Sequence, residues 1–415
     1  MRINKFVLEN GLRVVHQLDE SSPMVIINTL YDVGAKDEHP DHTGFAHLFE
    51  HLMFGGSVNI PSYDEPIQNA GGEDNAWTCN DFTNYYVMLP ACNAEVGFWL
   101  ESDRMLGLNF SQKSLDVQRN VVCEEFKQRN LNQPYGDVSH LVRGMVFKKH
   151  PYAWPTIGKE LSHIENATLD EVKSFFFSHY APNNAILSVV GNLSFEETKR
   201  LVEKWYGDIP RRDVSSRSIP DEPKQTEPRR LEVERDVPAD MIYKVYHICG
   251  RRDANYHVSD MISDVLSNGN SSRLYRKLVK ENPLFTEINA YISGDIETGM
   301  FYVVGLLSEN TTFEMAERAI DDELGFLCDE LVPEEELEKL RNKYEADQLL
   351  DNITLLKRAN NLAYYELLGD ANLMYDDVDD YRKVTAEQIR EYAREVFVPE
   401  NCSTLIYKAK SANPS

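Results

Sequence analysis

Residues 43–56 read TGFAHLFEHLMFGG, an apolar stretch with only three ionisable side chains. At 100° per residue, its large apolar side chains gather on one broad arc of a helix. His47, Glu50 and His51 gather on another arc. Polar groups beside an apolar face must be satisfied or useful, because burying them unpaired is costly. The stretch therefore predicts a core-facing helix that carries a polar site.

Length and charge limit the classes of protein to which the chain can belong. Its 415 residues exceed what one hydrophobic core usually serves, so two or more domains are expected. The net charge is −25, with a pI near 4.9. Nucleic acids and anionic membrane surfaces both favour basic proteins. The charge therefore argues against both as partners and is compatible with basic or neutral peptides.

Targeting and redox features point to the cytoplasm. The N-terminus, MRINKFVLENGLRVV, lacks the apolar core of a secretory signal, and no run of 18 apolar residues could span a membrane. The six cysteines show no CxxC spacing, which is typical of reduced thiols rather than a disulfide framework. We therefore expect a cytoplasmic protein with no membrane span.

The chain reads as two similar halves. Strand patterns such as MVIINTLYDVG, NYYVMLP and NAILSVVGN precede an amphipathic helix in the first half. After the Pro- and charge-rich stretch DVSSRSIPDEPKQTEPRR, the second half repeats the plan with MIYKVYHICG, GMFYVVGLL and NCSTLIYKA. In this repeat, Asp260, Ser263 and Asp264 stand where the first half has His47, Glu50 and His51. Only the first half therefore carries the chemistry.

These patterns predict an α+β fold of two homologous domains, each a mainly antiparallel sheet packed with helices, in a duplicated half-clamshell arrangement. The predicted domains are residues 1–213, which carry the site, and 231–415. The intervening residues 214–230 are predicted to be a linker.

The polar arc has the spacing of a metal site. His47 and His51 are four residues apart, so both imidazoles project from one side of a helix and can bind one ion. Zinc in catalytic sites takes three protein ligands, so a carboxylate from another element is required. The helix SLDVQRNVVCEEFKQRN supplies Glu125 at the flank of its buried face, whereas Glu124 points towards solvent. Glu125 is therefore the predicted third ligand.

Two alternatives compete with this interpretation. The His/Glu/His cluster could be a buried hydrogen-bonded group that binds no metal. A cysteine hydrolase is a more distant alternative, because Cys79 and Cys123 lie near the predicted site but neither has a histidine at an interpretable spacing.

The motifs together resemble the pitrilysin/insulinase family of zinc metallopeptidases. H-x-x-E-H is the signature of inverzincins, and GFAHLFEHLMFGGS resembles the zinc helix of the family. GGEDNAWTCNDFTNYY resembles its substrate strand, and QRNVVCEEF its second zinc helix. GLRVV, VGAKDE, HPYAWPTIG and HYAPNNAILSVVGNLS extend the resemblance over nearly the whole chain. More narrowly, the chain resembles the short two-domain subunits akin to mitochondrial processing peptidase and its bacterial relatives.

The resemblance implies a role for each matching residue. His47, His51 and Glu125 become the ligands of one zinc ion per chain, and Glu50 becomes the general base. Gln118 stands where the family usually has a second glutamate, so it can hydrogen-bond near the metal but adds no negative charge. The substrate backbone is expected to lie along an edge strand at Asn75, Ala76 and Trp77.

One departure from the family affects the expected assembly. The second domain of the family usually carries an arginine and a tyrosine that reach the substrate, but Val279 and Thr286 occupy these positions here. Neither side chain can bond a peptide carbonyl as Arg or Tyr would. Three nearby side chains could substitute, although ordinary surface and core roles are favoured for each of them: Arg273, Arg276 and Tyr291.

The resulting functional prediction is a zinc endopeptidase that hydrolyses short unstructured peptides. The chain would be the zinc-bearing subunit of a heterodimer whose companion subunit supplies the Arg–Tyr pair. One alternative is a self-sufficient homodimeric peptidase. Another is a peptide-binding or scaffold subunit of the same fold with little or no activity. Glu50→Gln separates these classes, because it should abolish turnover but preserve peptide binding.

Overall fold

The computed structural model describes residues 2–214 and 218–410, which form eleven strands in two sheets. The strands are β1 (Asn4–Val7), β2 (Arg13–Leu18), β3 (Met24–Tyr31), β4 (Glu73–Thr78), β5 (Thr83–Pro90), β6 (Ala185–Gly191), β7 (Arg229–Arg235), β8 (Met241–Cys249), β9 (Phe285–Ile292), β10 (Thr298–Leu307) and β11 (Cys402–Ala409).

Fourteen α-helices lie in the same described ranges. They are α1 (Phe45–Leu52), α2 (Asp64–Asn69), α3 (Ala94–Leu106), α4 (Gln112–Phe126), α5 (Val138–Val146), α6 (Leu161–Glu165), α7 (Leu169–His179), α8 (Phe195–Tyr206), α9 (Tyr256–Ser267), α10 (Phe313–Asp329), α11 (Glu334–Asp351), α12 (Leu355–Leu368), α13 (Leu373–Lys383) and α14 (Ala386–Val396). Two π-helical turns follow α4 and α9, at Lys127–Leu131 and Tyr275–Glu281.

The two sheets share one topology, apart from β1, which is an additional edge strand of the first sheet. The first has the order β1-β2-β6-β3-β5-β4 and the second β7-β11-β8-β10-β9. In each sheet one parallel pair, β2 with β6 or β7 with β11, is followed by three antiparallel pairs in the same succession. The predicted α+β fold and its duplication are confirmed. β4 and β9 occupy equivalent edge positions, each paired on one side only among the described strands.

The chain divides into two compact units that each combine three segments. Unit 1 comprises Met1–Arg129, Trp154–Ile219 and Gln348–Asp376. Unit 2 comprises Asn130–Ala153, Pro220–Asp347 and Asp377–Ser415. Each unit thus includes a segment from the other half of the chain. The domain boundaries drawn from the sequence stay a prediction.

The first sheet of unit 1 is covered on both faces. Its main core packs the apolar faces of α1, α3 and α8 on side chains such as Val25, Ile27 and Val87. The opposite face is covered by α12, which packs on β3 and β6 and buries Leu362 completely. Ser188 on β6 donates a hydrogen bond of 2.6 Å to the Ala359 carbonyl oxygen of α12.

Unit 2 is built in the same way. Side chains of α9, α10 and α14 form the main core with one face of the second sheet. The other face is covered by α5, whose Val142, Met145 and Val146 pack on Tyr243 and Leu405. The predicted linker 214–230 contains residues 215–217, which lie outside the described residues, and β7 already begins within it. Within the described ranges, no helix is long and apolar enough to cross a membrane.

Candidate metal centre

The N-terminus of α1 is held by a buried carboxylate. Gly44 precedes the helix with a φ of +87°, a conformation that favours glycine. Glu38 accepts hydrogen bonds of 2.8 Å from the backbone N–H groups of Gly44 and Ala46, and one of 3.1 Å from Trp154 Nε1. Burial raises the pKa of Glu38 to about 8, while these donors favour its charged form. These hydrogen bonds therefore fix the position of the first turn of α1.

The apolar arc of α1 is buried as the sequence predicts, and its polar arc meets α4. Phe45, Leu48 and Phe49 are buried in the core of unit 1. His47 Nε2 and His51 Nε2 lie 3.7 Å and 3.3 Å from the same oxygen, Oε2 of Glu125. The two imidazole rings are perpendicular, with centroids 4.9 Å apart. The fold thus brings together three side chains that are up to 78 residues apart in sequence.

Helix packing aims Glu125 at the histidines. The Ser111 hydroxyl caps the N-terminus of α4 by accepting a 3.1 Å hydrogen bond from the Ser114 N–H. Val122 and Phe126 are buried against the core. Glu124 is mostly exposed and pairs with Lys127 at 2.8 Å, whereas the Glu125 side chain is only 18% exposed. The two adjacent glutamates therefore face different environments.

The charges at the cluster suit a cation. Burial lowers the pKa of His47 to about 4, so its imidazole is neutral at pH 7. A hydrogen bond from His51 and the nearby charge of Arg129 lower the pKa of Glu125. Arg129 Nη1 lies 2.8 Å from Glu125 Oε1, the oxygen that does not face the histidines. Neutral imidazoles and a carboxylate are the forms in which these groups bind metals.

The distances fit zinc. The ligating atoms of His47, His51 and Glu125 all lie within 4.8 Å of one another. Bonds of about 2.0–2.1 Å in a tetrahedron place neighbouring ligand atoms about 3.4 Å apart. The two distances to Glu125 Oε2 bracket this value. In the described part of the chain, His47 Nδ1 is buried without a hydrogen-bond partner, so the polar contacts of this ring are made through Nε2. The donor set fits a zinc site with three protein ligands.

Glu50 lies beside the cluster and is held by a strand. Thr78 Oγ1 on β4 donates a 2.8 Å hydrogen bond to Glu50 Oε2. Burial raises the pKa of Glu50, and the hydrogen bond from Thr78 opposes this rise. The carboxylate therefore has a fixed orientation and a more basic character than an exposed glutamate.

The predicted substrate residues lie on the edge strand β4. Asn75 is exposed, and its Oδ1 accepts a 2.8 Å hydrogen bond from the Ala76 N–H. Trp77 is half-buried, with its ring centroid 6.4 Å from that of Tyr86. β4 adjoins α1, so this edge and the metal cluster are neighbours in unit 1. A strand paired on one side offers backbone groups to an extended peptide.

Gln118 is not connected to the cluster. It is half-buried on α4, two turns before Glu125. Among the described residues, no hydrogen bond joins its amide to His47, His51 or Glu125. Its predicted influence on the metal stays a prediction.

In unit 2, the positions expected to hold the arginine and tyrosine have other contacts. Val279 packs against the core, and Thr286 Oγ1 donates a 3.2 Å hydrogen bond to the Leu306 carbonyl. All three substitutes are engaged by neighbours, and Arg276 Nε lies 3.6 Å from Glu281 Oε1. Arg273 forms a 2.8 Å ion pair with Glu336, and Tyr291 stacks on Tyr302 at 4.9 Å.

The sequence interpretation gave no role to Glu38 and Arg129, and it placed Thr78 only on the substrate strand, without its contact to Glu50. The alternation of side chains along β4 could have indicated Thr78, because it shares a face with the buried Ala76. Arg129 follows Glu125 at the i+4 spacing typical of helical ion pairs. No local pattern connects Glu38 with the start of α1.

Two sequence models of one family match the chain. The model for insulinase (peptidase family M16) matches residues 13–160. The model for the M16 peptidase inactive domain matches residues 166–344. Together they cover most of both halves.

Similar proteins match nearly the whole of this chain. The zinc protease PqqE of Helicobacter pylori is 26% identical over 409 residues, which cover 97% of this chain and 91% of that protein. The crystal structure of a protease from Helicobacter pylori has a TM-score of 0.91 at 26% identity and covers 98% of this chain and 99% of its own. The periplasmic protease PqqL from Escherichia coli shares the fold, with a TM-score of 0.81 at 17% identity. That match covers 98% of this chain but 47% of PqqL.

Proposed function

The chain belongs to the M16, or insulinase, family of peptidases, and from this premise we propose that it is a zinc-dependent endopeptidase acting on short unstructured peptides. The observation that carries the proposal is the convergence of His47, His51 and Glu125, with Glu50 beside them. In this proposal the three residues hold one zinc ion per chain. The names of the similar zinc proteases support the choice of metal.

The chemistry divides between the metal and Glu50. Bound zinc supplies Lewis acidity, which acidifies a water molecule and polarises a carbonyl group. Glu50 Oε accepts one proton from the attacking water and transfers it to the leaving amine nitrogen as the C–N bond breaks. The raised pKa of Glu50 makes it a better base than an exposed glutamate.

β4 would bind the peptide as an added strand. Main-chain hydrogen bonds give affinity with little demand on sequence, and they require an extended, unfolded substrate. The backbone N–H of Ala76 already donates a hydrogen bond to Asn75 Oδ1. A bound peptide would therefore replace this hydrogen bond or accept one from the Asn75 side chain.

The test is digestion of a mixed pool of unstructured peptides by the zinc-loaded chain alone, with mass spectrometry of the products. If the proposal holds, Glu50→Gln lowers turnover about 10³-fold, the size expected for a general base, and retains bound zinc. The control is Glu124→Gln, which should keep full activity because Glu124 is exposed. Measurable cleavage at equal rates by wild type and Glu50→Gln would contradict the proposal.

We further propose that the chain works with a homologous companion subunit. Val279 and Thr286 in place of the family's arginine and tyrosine support this, as does the match to only 47% of PqqL, whose remaining length could hold a second such pair of domains. Zinc binding without cleavage by the chain alone, and cleavage after a companion with the Arg–Tyr pair is added, would support the heterodimer. Full activity of the isolated chain would favour the self-sufficient homodimer or monomer.

A peptide-binding subunit without activity is the second candidate. The match of the inactive-domain model to residues 166–344 and the missing Arg–Tyr pair favour it. In that case wild type and Glu50→Gln would bind peptides with the same affinity, and neither would cleave them with or without a companion.

A further inference from the structure

We propose that Thr78 is a positioning residue: its hydroxyl holds the Glu50 carboxylate in the orientation that proton transfer requires. This inference rests on the proposed function. It adds a group outside the ligands and the base to the machinery of the site.

The Thr78 hydroxyl is the only hydrogen-bond donor to Glu50 in the described chain, at 2.8 Å. Glu50 is on α1 and Thr78 is the last residue of β4, 28 positions away in sequence. A glutamate has several rotatable bonds, and ordering such a side chain costs conformational entropy. A single hydrogen bond from a second element therefore has a large share in fixing where the carboxylate points.

The strand geometry aims the hydroxyl at α1. Successive side chains of a strand point to opposite faces, so Thr78 lies on the same face as Ala76. Ala76 is buried in the core that α1 helps to form. Asn75 and Trp77 lie on the other face. The strand therefore presents one face to the base while its free edge remains available to a peptide.

The position of Thr78 on β4 relates the binding site for the peptide to the position of Glu50. Thr78 is paired with Thr83 of β5 on one side and ends the edge strand. Ala76, where we propose that the peptide backbone binds, is two residues away, or about 7 Å along the strand. Because one strand carries both groups, a peptide lying on β4 has a set register relative to Glu50.

A pair of matched variants tests the role of the hydroxyl. Thr78→Val keeps the shape of the side chain and removes the donor, whereas Thr78→Ser keeps the donor. We expect kcat to fall about tenfold or more in Thr78→Val, as a lost hydrogen bond to a charged group implies, and to stay within twofold of wild type in Thr78→Ser. KM and zinc affinity should stay within twofold in both variants.

A crystal structure of each metal-free variant gives a readout that does not depend on activity. Thr78→Val should show the Glu50 carboxylate rotated or in several conformers, and Thr78→Ser should show it as in wild type. Melting temperature confirms folding, and Thr78→Ala serves as a second variant without a donor. A kcat of Thr78→Val and Thr78→Ala within twofold of wild type, or an unmoved Glu50, would overturn the inference.

The result is distinguishable from failure of the proposed function. If Glu50→Gln abolishes cleavage and Thr78→Val does not, the peptidase stands and the positioning role is wrong. If Glu50→Gln retains cleavage, the assignment of the base is wrong, whatever Thr78 does.

Discussion

At the scale of single residues, the site depends on which way neighbouring side chains point. Glu124 and Glu125 are identical in chemistry and adjacent in sequence. On a helix they differ by 100°, so one pairs with Lys127 in solvent and the other faces two imidazoles. The same rotation that buries Val122 therefore selects Glu125 as the candidate ligand.

This pair gives a matched test of metal binding. Glu125→Gln replaces a carboxylate oxygen by a weaker, neutral ligand, so we expect zinc affinity to fall about 100-fold or more. Glu124→Gln should change it by less than twofold. Competition with a zinc chelator measures both. Equal affinities in the two variants would show that zinc is bound elsewhere or without this carboxylate.

At the scale of elements, the duplicated helices α1 and α9 have diverged in their polar groups. α9 packs on β9 as α1 packs on β4. Asp260 on α9 is half-buried and accepts a hydrogen bond from Tyr381, and Asp264 accepts one of 2.7 Å from Asn268. In the described residues only one group of three metal-ligating side chains is found, and it lies in unit 1. Unit 2 instead satisfies its polar positions with hydrogen bonds.

The charged form of Asp264 carries a cost in stability that should depend on pH, and its hydrogen bond from Asn268 offsets this cost only in part. Burial and the nearby Asp260 raise its pKa to about 6, above the value near 3.9 of an unfolded chain. A raised folded pKa means that the stability from this group is present below about pH 4 and is lost as the pH rises through 6. The free energy of unfolding of Asp264→Asn should therefore exceed that of wild type by about 2 kcal/mol at pH 8. At pH 4 the two free energies of unfolding should differ little.

Chemical denaturation of the two proteins between pH 4 and 8 measures this difference. The control is Asp208→Asn, which alters an exposed carboxylate of unit 1. A difference between Asp264→Asn and wild type that stays constant with pH would contradict the prediction.

At the scale of the whole molecule, each unit includes a helix from the other half of the chain. Residues 348–376 belong to unit 1 and residues 130–153 to unit 2, so the chain passes between the units five times. Within unit 1, α12 buries Leu362 on the sheet, and Arg358 pairs with Asp19. Neither half of the sequence contains all the segments of one unit.

A fragment ending at residue 213 should therefore fail to fold. Without α12, apolar side chains on one face of β3 and β6 are left in water, at a cost of about 25 cal/mol per Å². The comparison is with a fragment in which residues 348–376 are joined to Ile219 by a long Gly/Ser linker. We expect cooperative thermal unfolding and zinc binding from the second fragment only. Cooperative unfolding of the 1–213 fragment with wild-type zinc affinity would contradict this.

Local pattern in the sequence determined much of the protein. Period-two alternation located most strands, and the helical period separated the apolar face of α1 from His47, Glu50 and His51. The motifs predicted the family, and the similar strand and helix patterns of the two halves predicted the repeated topology. Both predictions are confirmed. These features are readable because they depend on side chains within a few residues of one another.

Only the tertiary structure decided which surfaces meet. The amphipathic patterns of α5 and α12 show that each has a face to bury, but not which sheet covers it, and each packs with the other half of the chain. Two further contacts likewise join separate elements. Thr78 donates a hydrogen bond to Glu50, and Glu38 accepts hydrogen bonds from backbone N–H groups at the start of α1. Such pairings depend on the full set of packed surfaces, because hydrophobic burial is non-directional and any apolar face could accept either helix.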